Sequence, residues 1–160
     1  MAKIERKYLA HYIDSDFGGT GTASYVRIGA DLEELNEDLS PDVEIKKNIL
    51  GEQIVSHNGY EVQSEVEPYY ADFDDPLFEP LYKIAMERKT GDACKTTKVD
   101  VLIKADGTVD SAYREDVYVV PTSLGGDTSG VQIPFTIYNA GNRVKGTFNI
   151  TSKTFTESTD

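Results

Sequence analysis

Alternating apolar and polar residues dominate this chain and predict a protein built mainly from β-strands. The alternation is clearest in four segments, residues 60–66, 99–104, 131–138 and 144–150. Period-two runs of β-branched and aromatic residues are typical of strands with one buried face, and we expect about seven or eight of them, mostly paired antiparallel with their sequence neighbours. Pro134 cannot donate a ladder hydrogen bond, so it predicts an edge strand or a position that faces away from the neighbouring strand.

Glycine-containing segments separate the predicted strands. Asn58-Gly59 and Asp106-Gly107 accept positive φ and predict tight hairpin turns. The triplets at 125–127 (GGD) and 140–142 (AGN) predict two further breaks between strands.

Residues 76–89 break the alternation and predict an α-helix that flanks the sheet. Asp75 is a suitable N-cap and Pro76 a favoured first residue. Apolar residues follow at helical spacing, namely Leu77, Phe78, Leu81, Ile84 and Ala85. Gly91 is placed to end the helix. Pro80, near the fifth helical position, favours a regular helix that begins a few residues later.

Residues 30–39 carry a second, shorter helical pattern, which Ser40-Pro41 would stop.

Together the elements predict one domain over residues 1–160, mainly β, with an antiparallel β-sandwich or barrel and one flanking helix. A chain of this length buries roughly 68–70% of its unfolded surface. We expect residues 1–22 to be a flexible N-terminal segment and residues 151–160 a frayed tail.

Charge is concentrated in one part of the chain. Residues 31–79 hold 15 carboxylates and two basic side chains, Lys46 and Lys47, a net charge of −13 (2 minus 15). The formal net charge of the whole chain is −12, so this acidic block is attached to a nearly neutral body. Such a block repels phosphate, which argues against a nucleic-acid-binding protein. No apolar run approaches the roughly 18 residues of a membrane span.

No combination of residues indicates an enzyme, a metal site or a cofactor site. His11 and His57 lie outside any motif, and the single cysteine, Cys94, agrees with folding in a reducing cytoplasm. The glycines at 18–22 lack the lysine and the following helix of a phosphate-binding loop. Asp72–Asp75 lacks the spacing of an EF-hand, so helix capping in a solvated loop is favoured over a Ca²⁺ site.

The predicted strand at 60–67 has an acidic polar face. Glu61, Glu65 and Glu67 alternate along it with no basic residue among them. Side chains two positions apart on a strand lie about 6.6–6.8 Å from each other on the same face, so these charges repel. Either these glutamate side chains are simply solvated, or they belong to a surface whose negative charge has a function.

Several segments resemble the major tail protein, or tail tube protein, of long-tailed bacteriophages. In chain order they are 42–52 (DVEIKKNILGE), 59–70 (GYEVQSEVEPYY), 75–78 (DPLF), 115–126 (EDVYVVPTSLGG), 132–135 (QIPF) and 141–148 (GNRVKGTF). The resemblance covers about residues 23–157. It implies a small β-sandwich or barrel with one helix on its flank, which forms hexameric rings that stack into a hollow tube. Viral DNA leaves the capsid through that tube without specific binding.

The resemblance gives the acidic block a purpose, because a negatively charged lumen repels the phosphates of passing DNA. We expect Glu61, Glu65 and Glu67 to face the lumen. Stacking needs projecting elements, and the candidate loops are residues 14–23, 48–52 and 68–75. Within the last, we expect Tyr69, Tyr70 and Phe73 to contact neighbouring subunits, since exposed aromatic residues favour interfaces. Unpaired strand edges could pair with the next subunit of the ring.

The partners implied are further copies of the chain and the tape measure, initiator and terminator proteins of the tail, with no membrane partner. The implied location is the virion tail, assembled in the bacterial cytoplasm. Two alternatives stay open. One is a tube of the same class in a phage-tail-like bacteriocin, a prophage remnant or a secretion machine. The other is a carbohydrate- or Ca²⁺-binding β-sandwich that uses residues 72–75.

Overall fold

A computed structural model describes residues 3–18, 23–30, 32 and 34–158. Its strands are β1 Leu9–Asp14, β2 Tyr25–Ile28, β3 Glu37–Asp38, β4 Pro41–Lys47, β5 Gln53–Tyr60, β6 Gln63–Val66, β7 Lys95–Ile103, β8 Val109–Pro121, β9 Gly125–Asp127, β10 Gly130–Gln132, β11 Phe135–Asn149 and β12 Thr154–Glu157. One α-helix, α1 Phe78–Glu87, and two short 3-10 turns, Arg6–Tyr8 and Gly91–Cys94, complete the described elements.

The strands form a curled antiparallel sheet. Its strand order is β2-β1-β7-β8-β11-β6-β3. In addition, β12 pairs with the C-terminal end of β11. The sheet curls into a half-barrel with α1 on its flank, which confirms the predicted mainly β architecture. β4 with β5, and β9 with β10, form two separate hairpins. No helix within the described residues has the length and apolar character needed to cross a membrane.

Two apolar clusters form the core, one on each side of the sheet. The cluster on the helix side contains Ile13, Val66, Tyr69, Leu77, Leu81, Val117, Val119, Ile133, Phe135 and Ile137. The second contains Ala10, Tyr12, Tyr25, Val99, Val101, Ala112 and Phe148. Tyr12 and Ile13 are adjacent on β1 and belong to different clusters, because successive side chains of a strand point to opposite faces.

The helix begins and ends slightly inside its predicted limits. It starts at Phe78, so Pro80 occupies the first turn, where the N–H groups have no intrahelical acceptor. The N-cap position is Leu77 and has no side-chain capping bond, so the predictions of Asp75 as N-cap and Pro76 as first helical residue are wrong. Asp75 Oδ1 accepts the N–H of Leu77 at 3.0 Å in the turn that precedes the helix. The prediction that Gly91 ends the helix is wrong. Arg88 does so, with a left-handed backbone (φ 53°).

Two predicted turns are β-bulges within strands. Asn58-Gly59 lies in β5, and the pairing shifts there because Asp42 faces Gly59 while Val43 faces His57. The turn of that hairpin lies at residues 48–52 instead. The AGN triplet lies inside β11, whose register with β8 shifts between Asn139 and Val144. Asp106-Gly107 forms the predicted turn between β7 and β8, with Gly107 at φ 93°.

The helical prediction for residues 30–39 is wrong in the part of this segment that the structure describes. Glu37 and Asp38 form β3, and Leu32 and Leu35 pack against the helix-side core. Long-range pairing of β3 with β6 outweighs the local leucine spacing. Similarly, residues 9–14 of the segment expected to be flexible form β1, which pairs with both β2 and β7. Residues 19–22 of the segment expected to be flexible lie outside the residues that the structure describes.

The structure also bears on the predictions made for the C-terminal tail and for Pro134. Residues 154–157, inside the segment expected to fray, form β12 against β11. Pro134 lies in the link between β10 and β11, so it needs no ladder partner, and its carbonyl accepts the N–H of Thr122 at 2.9 Å.

Candidate assembly surfaces

An exposed acidic face lies along β6. Ser64 and Val66 are buried toward the core, so Gln63 and Glu65 point to the opposite side, where they are exposed. On the next strand, Glu65 faces Thr136 and Gln63 faces Tyr138. We call the exposed side chains Gln63, Glu65 and Glu67 with Tyr138 the open face.

The open face continues into an acidic groove beside β3. The groove has a volume of about 500 Å³ and is lined by Glu34, Asn36, Asp38, Gln63, Glu65 and Glu67. Glu61 lies just outside β6 and is exposed, and its N–H is donated to the Ser40 carbonyl at 3.3 Å. The three glutamates predicted for the lumen are therefore all solvent-accessible in the subunit, and two of them share one groove.

A buried ion network fastens β3 to the sheet behind this groove. Lys98 is only 2% exposed, and its Nζ lies 3.0 Å from Glu37 Oε1 and 3.5 Å from Asp100 Oδ1. Glu115 accepts hydrogen bonds from Arg143 at 2.8 Å and from Asn139 at 2.9 Å. Because Glu37 is the network's contact on β3, the network holds the strand that forms one wall of the groove.

His11 joins the same network in a defined tautomer. Its Nδ1 lies 2.6 Å from Asp100 Oδ1 and its Nε2 lies 3.0 Å from Arg6 Nη2. Arginine only donates, so Nε2 accepts and Nδ1 carries the proton that is donated to Asp100. Burial alone would raise the pKa of Asp100. The hydrogen bond from His11 and the charges of Lys98 and Arg143 hold that pKa below its ordinary value.

The hairpin of β4 and β5 projects from the sheet, and we call residues 41–60 the arm. It follows the β3–β6 pair along the chain, since Asp38 faces Gln63 and, three residues away on each strand, Pro41 faces Tyr60. Every residue of β4 is exposed, and so is β5 apart from the half-buried Gly59. Its exposed apolar residues are Val43, Ile45, Ile49, Leu50, Ile54, Val55 and Tyr60.

The three aromatic residues predicted to contact neighbouring subunits have different environments. Tyr69 is buried in the chain's own core, where its hydroxyl donates to Asp75 Oδ2 at 2.6 Å and its ring packs edge-on against Phe135. Tyr70 is half-buried and bridges to Gln132 of β10. Phe73 is 93% exposed and packs edge-on against Phe78, with the ring centroids 5.3 Å apart. Phe73 is thus the member of the three most available to a partner.

Neither the thiol nor the aspartates of the 72–75 loop form a reactive or metal-binding arrangement. Cys94 is buried, burial raises the pKa of its thiol, and its Sγ donates to the Lys89 carbonyl at 3.4 Å. Asp72 Oδ1 accepts the N–H of Asp74 at 2.9 Å, so this carboxylate stabilises the loop. Within the described residues, no group of three or more His, Cys, Asp or Glu side chains is arranged to hold a metal ion.

The opposite edge of the sheet, at β2, has a basic and apolar character. A groove of about 520 Å³ lies between β1, β2 and the segment that follows β2. Its lining includes the basic residues Arg6, Lys7 and Arg27 and the apolar residues Leu9, Ile28, Leu32 and Leu35. Glu34 lines this groove as well as the acidic groove beside β3, so the two grooves meet at the segment that links β2 to β3, with the basic residues on the β2 side and most of the carboxylates on the β3 side.

Comparison with known proteins shows which class of protein has this fold. No family model and no curated protein matches the chain. Among solved structures, the tail tube of SPP1 matches with a TM-score of 0.63 and 14% identity, over 91% of this chain and 80% of that one. A chain of the sheath–tube complex of an extracellular contractile injection system, PVC, matches with a TM-score of 0.51 and 13% identity, over 91% and 92% of the two chains.

The chain therefore has the fold of a tail tube protein. The resemblance to the tail tube proteins of long-tailed phages, indicated by the sequence segments, is confirmed by this structural likeness.

Proposed function

We propose that the chain is the tube subunit of a phage tail and that it forms hexameric rings which stack into a hollow tube. The observation that carries the proposal is the likeness to the SPP1 tail tube over 91% of the chain. The likeness to the contractile injection system is weaker, with a TM-score of 0.51, so a phage tail is favoured over a related secretion machine. The role is structural and non-enzymatic, and its location is the virion tail, after assembly in the host cytoplasm.

Ring closure uses the two edges of the sheet. The β2 edge and the β3 edge are different surfaces, and a contact between two different surfaces generates a ring when its rotation closes. Basic residues at one edge, such as Arg27, and acidic residues at the other, such as Asp38, are complementary in charge. Pairing of these edges between subunits also covers strands that would otherwise invite aggregation.

The open face and the neighbouring Glu61 form the wall of the lumen, and Glu61, Glu65 and Glu67 keep it negative. DNA passes this surface without binding, because carboxylates repel phosphates and offer no counterion release. The arm and the 68–75 loop make the contacts between rings. In that loop, Tyr70 and Phe73 carry the contact, whereas Tyr69 supports the loop from within the core. The tape measure, initiator and terminator proteins of the tail are the further partners.

Negative-stain electron microscopy of the purified chain, at low and high concentration, tests the assembly. Hollow tubes or stacked rings with a central channel are expected. Dispersed particles at high concentration, which persist after addition of sonicated tube fragments from a tail preparation as seeds, would contradict the proposal.

Charge reversal tests the lumen. Tubes of the triple variant Glu61→Lys, Glu65→Lys, Glu67→Lys should retain short DNA that is protected from nuclease, in a salt-dependent way. The matched control, Glu79→Lys with Glu87→Lys on the exposed side of α1, should bind DNA that stays nuclease-sensitive. Loss of tubes in the triple variant would make these residues an interface, and absence of protected DNA would put them outside the lumen.

A further inference from the structure

The buried lysine of the ion network lies close to a side-chain amide. Lys98 is on β7 and Asn139 on β11, and β8 lies between these strands in the sheet. Glu37 Oε1 accepts hydrogen bonds from both side chains, from Lys98 Nζ at 3.0 Å and from Asn139 Nδ2 at 3.1 Å. The two nitrogen atoms therefore lie within about 6 Å of each other. An amine, a carboxylate and a carboxamide meet at this point of the structure.

The amide of Asn139 is held in a fixed position. Its Nδ2 also donates to Glu115 Oε1 at 2.9 Å, and its backbone N–H donates to the Val62 carbonyl at 3.0 Å. Its Oδ1 is buried and accepts no hydrogen bond from any of the residues that the structure describes. Leaving a buried acceptor without a donor costs free energy, so the network as it stands does not satisfy this amide.

The surroundings of Lys98 select Glu37 as the acceptor of its proton. Lys98 is 2% exposed, so water does not reach its amine freely. The other carboxylate near Nζ belongs to Asp100, at 3.5 Å. Asp100 is already paired with His11 and lies 3.6 Å from Arg143. Glu37, at 3.0 Å, is both the closer carboxylate and the one shared with the amide.

We propose that Lys98 and Asn139 form an intramolecular isopeptide bond, with Glu37 as the residue that transfers the protons. Groups held side by side react as if at very high concentration, and here one amide bond replaces another, so no oxidant, metal or cofactor is needed. Rotation about the terminal bonds of the lysine side chain brings Nζ to the amide carbon. The bond ties β7 to β11 across β8 within one subunit, and it is independent of tube assembly.

The reaction begins with transfer of a proton from Lys98 Nζ to Glu37 Oε1 along their hydrogen bond. The neutral amine attacks Asn139 Cγ, a C–N bond forms, and the electron pair of the carbonyl moves to Oδ1. Glu37 then donates its proton to Nδ2 and accepts a second proton from Nζ. The electron pair on Oδ1 re-forms the carbonyl, the Cγ–Nδ2 bond breaks, and Nδ2 leaves as ammonia.

The products suit a buried site better than the reactants do. An ion pair is replaced by a neutral amide and a neutral carboxylic acid on Glu37, so charges that are costly to keep away from water disappear in equal number. Glu37 can donate its remaining proton to Asn139 Oδ1, which gives that oxygen a partner. The ion network is thus the reactant state, present in the freshly folded chain.

Mass spectrometry of the denatured full-length chain, repeated as the purified protein ages, tests the bond. Each bond releases one ammonia, so the mass should fall by about 17 Da. Tryptic digestion should then give a branched peptide that joins Lys98 to Asn139. The Asn58-Gly59 pair can also release ammonia, by attack of the glycine nitrogen on the asparagine side chain. The Asn58→Gln variant excludes this source and should show the same decrease in mass as the wild type.

Two variants test the chemistry, and one serves as a control. Lys98→Arg keeps a cation but removes the nucleophilic amine, so it should keep the mass of its sequence. Glu37→Gln keeps both reacting groups and should react at least about a hundredfold more slowly, because the residue that transfers the protons is missing. Lys104→Arg, at an exposed lysine, should react like the wild type. Circular dichroism checks that each variant is folded.

Three outcomes would overturn the proposal. They are a wild-type chain that keeps the mass of its sequence as it ages, a loss of ammonia that maps to other residues, and a Glu37→Gln variant that reacts as fast as the wild type.

Discussion

Replacing Lys98 tests whether the buried ion network is what holds β3 on the sheet. Lys98→Met keeps most of the side-chain volume but removes the cation that lies between Glu37 and Asp100. The two carboxylates then remain in a largely buried site, where Asp100 keeps His11 and Arg143 as neighbours. Removing one partner of a buried ion pair costs about 3–5 kcal/mol, because the other partner is left uncompensated.

That loss is large relative to the stability of a single domain, which is about 5–15 kcal/mol. For a chain of this size each kcal/mol lowers Tm by about 2–4 °C, so a Tm decrease of about 6–20 °C is expected. Urea denaturation followed by circular dichroism, together with a thermal melt, measures both quantities. Lys104→Met is the control, because Lys104 is exposed and its nearest carboxylate, Asp110, is 3.9 Å away. Its loss should be below about 1 kcal/mol.

A double variant separates the missing charge from simple loss of packing. Glu37→Gln in the Lys98→Met background removes one of the stranded carboxylates and should recover part of the stability. The reasoning is refuted if Lys98→Met loses no more than the Lys104→Met control, or if adding Glu37→Gln destabilises the protein further.

Three further predictions each depend on one feature of the structure or sequence. Asp100 has its pKa held below its ordinary value of 3.8, so its contribution is complete above about pH 4 and is lost as the pH falls through the lowered pKa. Asp100→Asn should therefore be less stable than wild type at pH 7, with the difference shrinking near pH 3, and an unchanged difference in urea titrations would disprove this. Arg88→Gly should stabilise the chain by about 1 kcal/mol in the same assay, since glycine adopts the left-handed conformation that ends α1 without strain. EDTA should leave the melting temperature unchanged, and a clear decrease would revive the Ca²⁺-binding alternative.

The features that the sequence predicts correctly are those determined by residues close to one another in the chain. Period-two alternation predicted the strands around Val99 and Phe135, and helical spacing of apolar residues predicted α1. Asn58-Gly59 shows the limit of this approach. A positive φ at glycine suits both a turn and a bulge, and the register of β4 on β5 decides between them. That register depends on residues at the other end of the hairpin.

The buried network shows a second limit. The alternation of residues 99–104 puts Asp100, and by extension Lys98, on the polar face of a strand, where a solvated position is the ordinary expectation. The structure buries both, because Glu37 and Arg143 reach them from distant parts of the chain. The arm was only partly anticipated, as a loop at residues 48–52. The sequence signal for it was the alternation of Val43 and Ile45 with polar residues in β4.

The position of β6 in the sheet has a consequence for when a subunit becomes able to assemble. β6 pairs with β3 on one side and with residues 135–138 of β11 on the other. A two-stranded ribbon of β3 and β6 is marginal without that third strand. During synthesis, the base of the arm and the acidic edge therefore stay unformed until β11 has been made. A partly synthesised chain then lacks both surfaces proposed for contacts with its neighbours, so the proposed assembly would begin only with finished chains.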